Sequence, residues 1–174
     1  MGGKYRFKLT LLGDGAVGKT SLFLRYIDNK FEENYIPTLG VNFLTKDLEV
    51  GGTPIRLIVW DIGGQSTWKA KLPLYLKGSD GAIIIFDLTR PASFLNLSDW
   101  IERIHTIVSP DTPFIVVGNK NDLKNIRKVK EKDVKNFLKK QPYNMYYESS
   151  AKTGENIDPF FEKIASEVLK RKFQ

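Results

Sequence analysis

The stretch Gly13-Asp14-Gly15-Ala16-Val17-Gly18-Lys19-Thr20 fits the pattern of a glycine, four free positions, a glycine, a lysine and a hydroxyl residue. The apolar run 7–12 before it is typical of a buried strand, and residues 21–26 after it are typical of the start of a helix. Glycines let several backbone N–H groups face one anion, and a helix start adds its positive dipole end. The stretch therefore predicts a loop that binds phosphate groups.

Two side chains at the end of this loop have predicted roles. Lys19 would reach the outer phosphates of a nucleotide, and the Thr20 hydroxyl would hold Mg²⁺. The alternative is a glycine-rich turn without a ligand, which the coincidence of strand, spacing, lysine, hydroxyl and helix disfavours. The loop alone does not predict which base the nucleotide carries.

Length and composition favour one domain over residues 1–174, because 41% apolar residues suffice for a single core. No apolar run is long enough to span a bilayer and residues 1–6 lack the apolar core of a secretory signal, so we expect a cytoplasmic protein. Gly2 does not begin a complete myristoylation signal, because Arg6 stands where serine or threonine is required. The chain has no cysteine, which excludes disulfides, a cysteine nucleophile and cysteine-linked lipids on these residues.

The net charge of +7 could attract nucleic acid or an anionic membrane. Many of the basic residues lie in 124–140, where Glu131 and Asp133 are interspersed among them, as on a solvated helix face. No basic ribbon with interleaved aromatic residues marks single-strand binding. We therefore expect no nucleic-acid partner.

Alternating strand and helix patterns decide the predicted fold. Strands are predicted at 7–12, 41–50, 55–60, 81–86, 113–117 and 145–148, and helices at 21–27, 67–76, 94–108, 131–140 and 159–172. The second and third strands form a hairpin around Gly51-Gly52. The pattern predicts an α/β fold with a six-stranded, mostly parallel sheet, one antiparallel strand and about five flanking helices. Ligands bind such sheets at the carboxyl ends of the strands.

The hexapeptide Asp61-Ile62-Gly63-Gly64-Gln65-Ser66 follows the third predicted strand. Asp61 could approach the Mg²⁺ through a water, and Gly64 could offer its N–H to a terminal phosphate. Gln65 suits positioning of an attacking water, because an amide has no useful basicity. Taken alone, the hexapeptide could equally be an aspartate that caps a glycine turn.

A second loop, Asn119-Lys120-Asn121-Asp122, predicts which base is bound. The Asp122 carboxylate can accept two hydrogen bonds from the N1–H and amine of guanine, whereas adenine presents an acceptor there. Lys120 can lay its stem across the base, and Asn119 can tie this loop to the phosphate loop. In Ser150-Ala151-Lys152, the N–H of Ala151 could donate to the guanine O6.

With these motifs, the chain resembles a Ras-superfamily small GTPase over essentially its whole length. The resemblance implies a G domain of the phosphate-loop NTPase class, with Tyr35-Ile36-Pro37-Thr38 in its first switch. It implies that Thr38 completes the Mg²⁺ shell and senses the γ-phosphate, that Phe31 packs beside guanine and that Gln65 positions water. The implied nucleotide-binding residues are Gly13, Asp14, Gly15, Ala16, Val17, Gly18, Lys19, Thr20, Ser21, Phe31, Tyr35, Thr38, Gly64, Asn119, Lys120, Asp122, Ser150, Ala151 and Lys152. Lys19, Thr38 and Gln65 would be catalytic, and Thr20, Thr38 and Asp61 would hold the metal.

Within the superfamily the chain is most similar to Rab proteins. The similar segments are Leu39-Gly40-Val41-Asn42-Phe43, Trp60-Asp61, Tyr75-Leu76-Lys77-Gly78 and Ile85-Phe86-Asp87-Leu88-Thr89. Phe43, Trp60 and Tyr75 fall on the aromatic triad that Rabs present to effectors, although ordinary packing is the alternative. Ile62-Gly63 replaces the usual Thr-Ala, and Ser66 stands where an acidic residue is usual. Without a cysteine, either a lipidated tail lies outside this sequence or the protein is not prenylated, so peripheral membrane attachment stays open.

The resemblance implies a monomeric switch that hydrolyses GTP to GDP with Mg²⁺ in membrane trafficking or related signalling. Its partners would be an exchange factor, a GTPase-activating protein and effectors. Hydrolysis alone would be slow, because no arginine in the first switch can act in cis. The alternatives are an ATP-using phosphate-loop enzyme, a GTP-binding scaffold with little hydrolysis, and a nucleic-acid-binding domain. We expect no acid–base role for His105, whereas Trp68 could belong to the effector surface or the core.

Overall fold

The computed structural model describes residues 5–31, 40–63 and 70–174. Its sheet has the strand order β2-β3-β1-β4-β5-β6. The strands are β1 (Tyr5–Leu12), β2 (Val41–Val50), β3 (Thr53–Ile62), β4 (Gly81–Asp87), β5 (Phe114–Asn119) and β6 (Tyr146–Glu148). Among the strands in the described residues only β2 runs antiparallel, paired with β3 across the Gly51-Gly52 turn. The predicted α/β fold is therefore confirmed.

Helices cover both faces of the sheet. They are α1 (Lys19–Asp28), α2 (Leu72–Leu76), α3 (Pro91–Leu95), α4 (Leu97–Ile107), α5 (Glu131–Leu138) and α6 (Ile157–Lys172), with a 3₁₀ turn at Lys124–Ile126. None of the helices in the described ranges is long and apolar enough to cross a bilayer. Residues 67–69 of the second predicted helix lie outside the described residues.

The prediction of one helix over 94–108 is wrong in detail. The helical segment begins earlier, at Pro91, because proline fits the first turn of a helix, where its missing N–H costs nothing. It is then divided at Asn96, whose ψ of −2° departs from the helical value. The division leaves α3 and α4 as two helices and places Asn96 at the junction between them.

Strand β4 is the centre of the core, because every one of its residues is buried. Its side chains alternate between two apolar layers: Ile83 and Ile85 pack with α1 and α6, whereas Ile84 and Phe86 pack with α2 and α4. Burial on both faces explains why its sequence is a continuous apolar run rather than an alternating one.

The parallel strands bring the loops with chemical character to one edge of the sheet. Leu11 of β1 pairs with Asp61 of β3, and Asp87 of β4 pairs with Asn119 of β5. Because parallel strands end at the same edge, the loops that follow β1, β3, β4 and β5 converge there. The loop after β6 joins them, since Glu148 pairs with Gly118.

Candidate nucleotide-binding site

The loop between β1 and α1 needs glycine at two positions where the backbone meets other groups. Gly13 has a φ of 143°, and a Cβ there would lie 2.1 Å from the carbonyl oxygen of Ile85. Gly18 has a φ of 97°, and its Cβ would lie 2.2 Å from the Asn119 Nδ2. The phosphate-loop pattern is therefore also a packing requirement, because any side chain at either position would strain the backbone and clash.

The amino end of α1 is built to receive an anion. Gly18 stands at the N-cap, where it has no side chain that could cap the first-turn N–H groups. Lys19 opens the helix and is only 6% exposed. Its ammonium donates to the carbonyl oxygens of Gly13 at 2.8 Å and Asp14 at 2.7 Å. The loop therefore surrounds a cation beside the amino end of a helix, the arrangement that binds phosphates.

Burial sets the charge state of Lys19 when no phosphate is present. Loss of water around the ammonium lowers the pKa of Lys19 to about 8, although nearby Asp61 and Asp14 raise it. The Arg90 guanidinium adds a further lowering effect, because the two cations repel each other. A bound polyphosphate would place negative charge beside this ammonium and so stabilise its protonated form.

The shifted pKa of Lys19 predicts a pH dependence of the nucleotide-free protein. Because folding lowers this pKa from 10.5 to about 8, the unfolded chain binds the extra proton between these values. We therefore expect the Lys19 contribution to the free energy of unfolding to rise with pH across this window, by about 1.4 kcal/mol per pH unit. Below pH 8 the contribution should be flat. Urea denaturation of the wild type and Lys19→Met at increasing pH measures the difference, and parallel curves for the two proteins would contradict it.

Thr20 and Asp61 meet beside the phosphate loop, as candidate metal ligands must. The Thr20 hydroxyl donates to the Asp61 Oδ2 at 2.6 Å, and Asp61 is 1% exposed. Hydroxyl and carboxylate oxygens are ligands that Mg²⁺ prefers, directly or through water. A buried carboxylate also needs positive charge nearby, so the donor set fits the predicted metal.

A cavity of about 480 Å³ opens beside the phosphate loop. Its walls come from the phosphate loop, α1 and the loops after β5 and β6, and they are lined by Ala16, Gly18, Ser21, Phe31, Asn119, Lys120, Asp122, Leu123, Ala151 and Lys152. All of these except Leu123 were predicted from the sequence to bind nucleotide. The volume and the mainly apolar walls suit a planar base with a few polar contacts.

Hydrogen bonds fasten the walls of this cavity to one another. Asn119 donates from Nδ2 to the Val17 carbonyl at 2.9 Å, and its Oδ1 accepts from the Ala151 N–H at 3.3 Å. Lys120 donates to the Ala16 carbonyl at 3.0 Å and pairs with Asp87 at 2.7 Å. The long bond to Ala151 can be shared with a ligand acceptor, as the predicted contact to a base oxygen requires.

Asp122 is held in a defined orientation. The Ser150 hydroxyl donates to its Oδ1 at 2.6 Å. Asp122 lines the cavity, whereas Ser150 is fully buried. This contact leaves Oδ2 and the second lone pair of Oδ1 as acceptors for a base. Ser150, which the resemblance implied as a nucleotide-binding residue, contacts Asp122 and would act through it.

Asp14 is the predicted site residue whose side chain turns away from the loop interior. Its carboxylate accepts from the Trp100 Nε1 at 2.9 Å and from the Asn96 Nδ2 at 2.7 Å. A negative charge is thereby fastened to α4 instead of facing bound phosphates. Asp14 would then contribute to binding through its backbone alone.

Two arginines at the site were not predicted from the sequence. Arg25 of α1 donates from Nε to the Ala151 carbonyl at 2.8 Å and from Nη2 to the Lys152 carbonyl, which ties α1 to the cavity wall. Arg90 donates to the Gly15 carbonyl at 2.6 Å. No local pattern marks either residue, because both contacts join elements far apart in the sequence.

The aromatic triad divides into a stacked pair and a separate third member. Phe43 is 55% exposed and stacks on Trp60 with ring centroids 5.2 Å apart. Tyr75 packs against the core layer below α2 and α4. Lys8 connects the two parts, with its ammonium 4.2 Å from the Trp60 ring and 2.6 Å from the Tyr75 carbonyl.

Some predicted residues cannot be placed. Tyr35, Thr38, Gly64 and Gln65 lie outside the described residues, as do Ser66 and Trp68. His105 lies on α4 and packs against Phe114 with ring centroids 5.6 Å apart, and burial lowers its pKa.

Comparison with known proteins agrees with this geometry. The model of the Ras family matches residues 8–170. Ras-related protein Rab-21 of Homo sapiens is 36% identical over 168 residues, which cover 97% of this chain and 74% of that protein. Ras-related protein Rab-17 of Homo sapiens is 38% identical over 166 residues, covering 95% and 77%. GTP-binding protein YPT53 of Saccharomyces cerevisiae is 37% identical over 167 residues, covering 92% and 76%. The chain therefore belongs to the Ras family, in which it is a divergent, Rab-like small GTPase.

Proposed function

We propose that this protein, as a single G domain over residues 1–174, binds guanine nucleotides and hydrolyses GTP to GDP and phosphate with Mg²⁺. The observation that carries the proposal is the cavity that joins Asp122 to the phosphate loop. Asp122, oriented by Ser150, would accept from the N1–H and amine of guanine. Adenine would face it with an acceptor, so that the bound base would cover the carboxylate without pairing it, which is costly.

The phosphate loop would hold the polyphosphate with its backbone N–H groups and the Lys19 ammonium. Lys19 would exchange its bonds to Gly13 and Asp14 for phosphate oxygens, which better compensate a buried cation. Thr20, Asp61 and Thr38 would hold Mg²⁺, which neutralises charge on the phosphates when bound. Gln65 would orient the water for in-line attack on the γ-phosphorus.

Conformational switching would follow from contacts to the γ-phosphate. The N–H groups of Thr38 and Gly64 would bind the γ-phosphate when it is present and lose it on hydrolysis. Both loops would therefore be ordered in the GTP-bound state and become disordered together after hydrolysis. An exchange factor, an activating protein and effectors would read these loops. The stacked pair Phe43 and Trp60, with Tyr75 beside it, would form part of the effector surface.

The similarity to Rab proteins supports a cellular role for this activity by analogy. Because the chain is Rab-like, we propose a role in membrane trafficking, with the protein acting as a cytoplasmic monomer. Peripheral membrane attachment would need a lipidated tail beyond residue 174, since these residues contain no cysteine.

Competition between nucleotides tests the proposed function. Wild-type protein loaded with a fluorescent GDP analogue should release it to GTP and GDP at far lower concentrations than to ATP. We expect at least about a 10³-fold preference, because ATP cannot satisfy the Asp122 carboxylate. Equal competition by ATP and GTP would favour the ATP-using alternative and refute guanine recognition.

Gln65→Leu separates a hydrolysing switch from a GTP-binding scaffold. Leucine has a similar size but cannot bind water, so we expect single-turnover phosphate release to fall by about ten- to a hundredfold. GTP affinity should change little, because the amide is assigned to the water. Release as fast as in the wild type would contradict the role of Gln65, and a wild type that releases no phosphate would favour the scaffold.

A further inference from the structure

Ala16 is the one non-glycine residue of the phosphate loop with a left-handed backbone, at a φ of 62°. This conformation is uncommon for alanine and costs on the order of 1 kcal/mol, so surrounding contacts must maintain it. Its own carbonyl accepts from Lys120 at 3.0 Å, and the carbonyl before it, that of Gly15, accepts from Arg90 at 2.6 Å. Cationic side chains therefore hold the carbonyls on both sides of the strained residue.

The Arg90 contact fixes a peptide group as well as an oxygen. The described chain has no cis peptide, so the C=O of Gly15 and the N–H of Ala16 point in opposite directions. Arg90 stands at the N-cap of α3, so its hydrogen bond turns the Gly15 carbonyl toward α3. The N–H of Ala16 then points away from α3 and is available to phosphates, which the backbone N–H groups of such a loop bind.

The same side of the loop has a second attachment to the α3–α4 segment. Asp14, next to Gly15, accepts from Asn96 at the α3–α4 junction and from Trp100 of α4. Arg90, Asn96 and Trp100 therefore form a clamp on Asp14 and Gly15. Within the clamp only Arg90 contacts the backbone that continues into Ala16, and only Arg90 brings a charge.

We propose that Arg90 is a positioning residue that turns the Ala16 N–H toward the β-phosphate of a bound guanine nucleotide. The inference rests on the proposed function, because it concerns the same phosphate site. Arg90 acts through the peptide it holds, and hydrogen bonding to the carbonyl also polarises that N–H toward an anion. The repulsion between Arg90 and Lys19 shows that the guanidinium is close enough to add to the positive potential of the loop.

Arg90→Met and Arg90→Lys test this role against a matched control. Methionine keeps an unbranched stem but neither charge nor donor, whereas lysine keeps the charge and can still donate, without the planar guanidinium. Arg56→Met is the control, because Arg56 makes an exposed pair with Asp47 on β2 and β3, outside the clamp. Affinities for GDP and GMP are measured by displacement of a fluorescent nucleotide, since only GDP carries the β-phosphate.

We expect the ratio of GDP to GMP affinity to fall about tenfold in Arg90→Met, about threefold in Arg90→Lys and not at all in Arg56→Met. A general loss of stability would lower the affinities for GDP and GMP by the same factor and leave their ratio unchanged. If Arg90→Met does not fold, the ratio in Arg90→Lys decides. An unchanged ratio in the folded Arg90 variants overturns the inference, whereas a wild type that binds neither nucleotide overturns the proposed function instead.

Discussion

Asp122→Asn is expected to lower the affinity for GDP by a factor of about 10³ and to favour xanthosine diphosphate instead. The loss follows because the Asp122 carboxylate would accept two hydrogen bonds from guanine, and removing one partner of such a charged pair lowers the binding free energy by about 4 kcal/mol. Asparagine offers one donor and one acceptor in the same place. Xanthine has a carbonyl where guanine has its amine, so it matches that pair while guanine opposes it.

Displacement of a fluorescent nucleotide from wild type and variant by GDP, xanthosine diphosphate and ADP measures this inversion. The Ser150 hydroxyl that holds Asp122 can also donate to an asparagine Oδ1, so the side chain should keep its orientation. Asp133→Asn on α5 is the charge-matched control and should leave every affinity within about twofold. A variant that still prefers GDP would remove Asp122 from base recognition.

The sheet could be predicted because its signals are local. The continuous apolar run of β4 and the turn at Gly51-Gly52 both reflect short-range chemistry that the structure retains. The site motifs at Lys19 and Asp122 lie close together because the parallel strands that precede them end at the same edge of the sheet. A βα pattern is therefore enough to predict that they meet.

The clamp on the phosphate loop could not be predicted in the same way. Asn96 lay inside an uninterrupted helical pattern, and Trp100 had the spacing of an ordinary core residue. Their contacts with Asp14 join segments more than 80 residues apart. Such contacts depend on the division between α3 and α4, which arises from tertiary packing and not from a sequence signal. The prediction of Asp14 as a nucleotide-binding residue did not include these contacts of its side chain, for the same reason.

Gly15→Val is expected to leave GTP binding within about threefold of wild type while abolishing acceleration by an activating protein. The structure supports the expectation of nearly unchanged GTP binding, because a Cβ on Gly15 meets no described atom within 4 Å. Unlike Gly13 and Gly18, Gly15 does not have a left-handed φ, so a side chain causes no backbone strain there. The open space above Gly15 is where an arginine from a partner would approach the γ-phosphate, and valine would fill it.

Two measurements test these two expectations separately. GTP affinity tests the first, and single-turnover hydrolysis with and without the catalytic domain of an activating protein for a Rab relative tests the second. An inserted arginine accelerates such reactions by about 10³- to 10⁵-fold, and the variant should lose nearly all of that gain. Arg90→Met is a useful comparison, because the Arg90 guanidinium binds the Gly15 carbonyl without covering the space at the Gly15 Cα. Loss of acceleration in Gly15→Val but not in Arg90→Met would assign the catalytic cation to the partner. Full acceleration of Gly15→Val would mean that the arginine enters by another route, so the open face of the loop would have no part in stimulated hydrolysis.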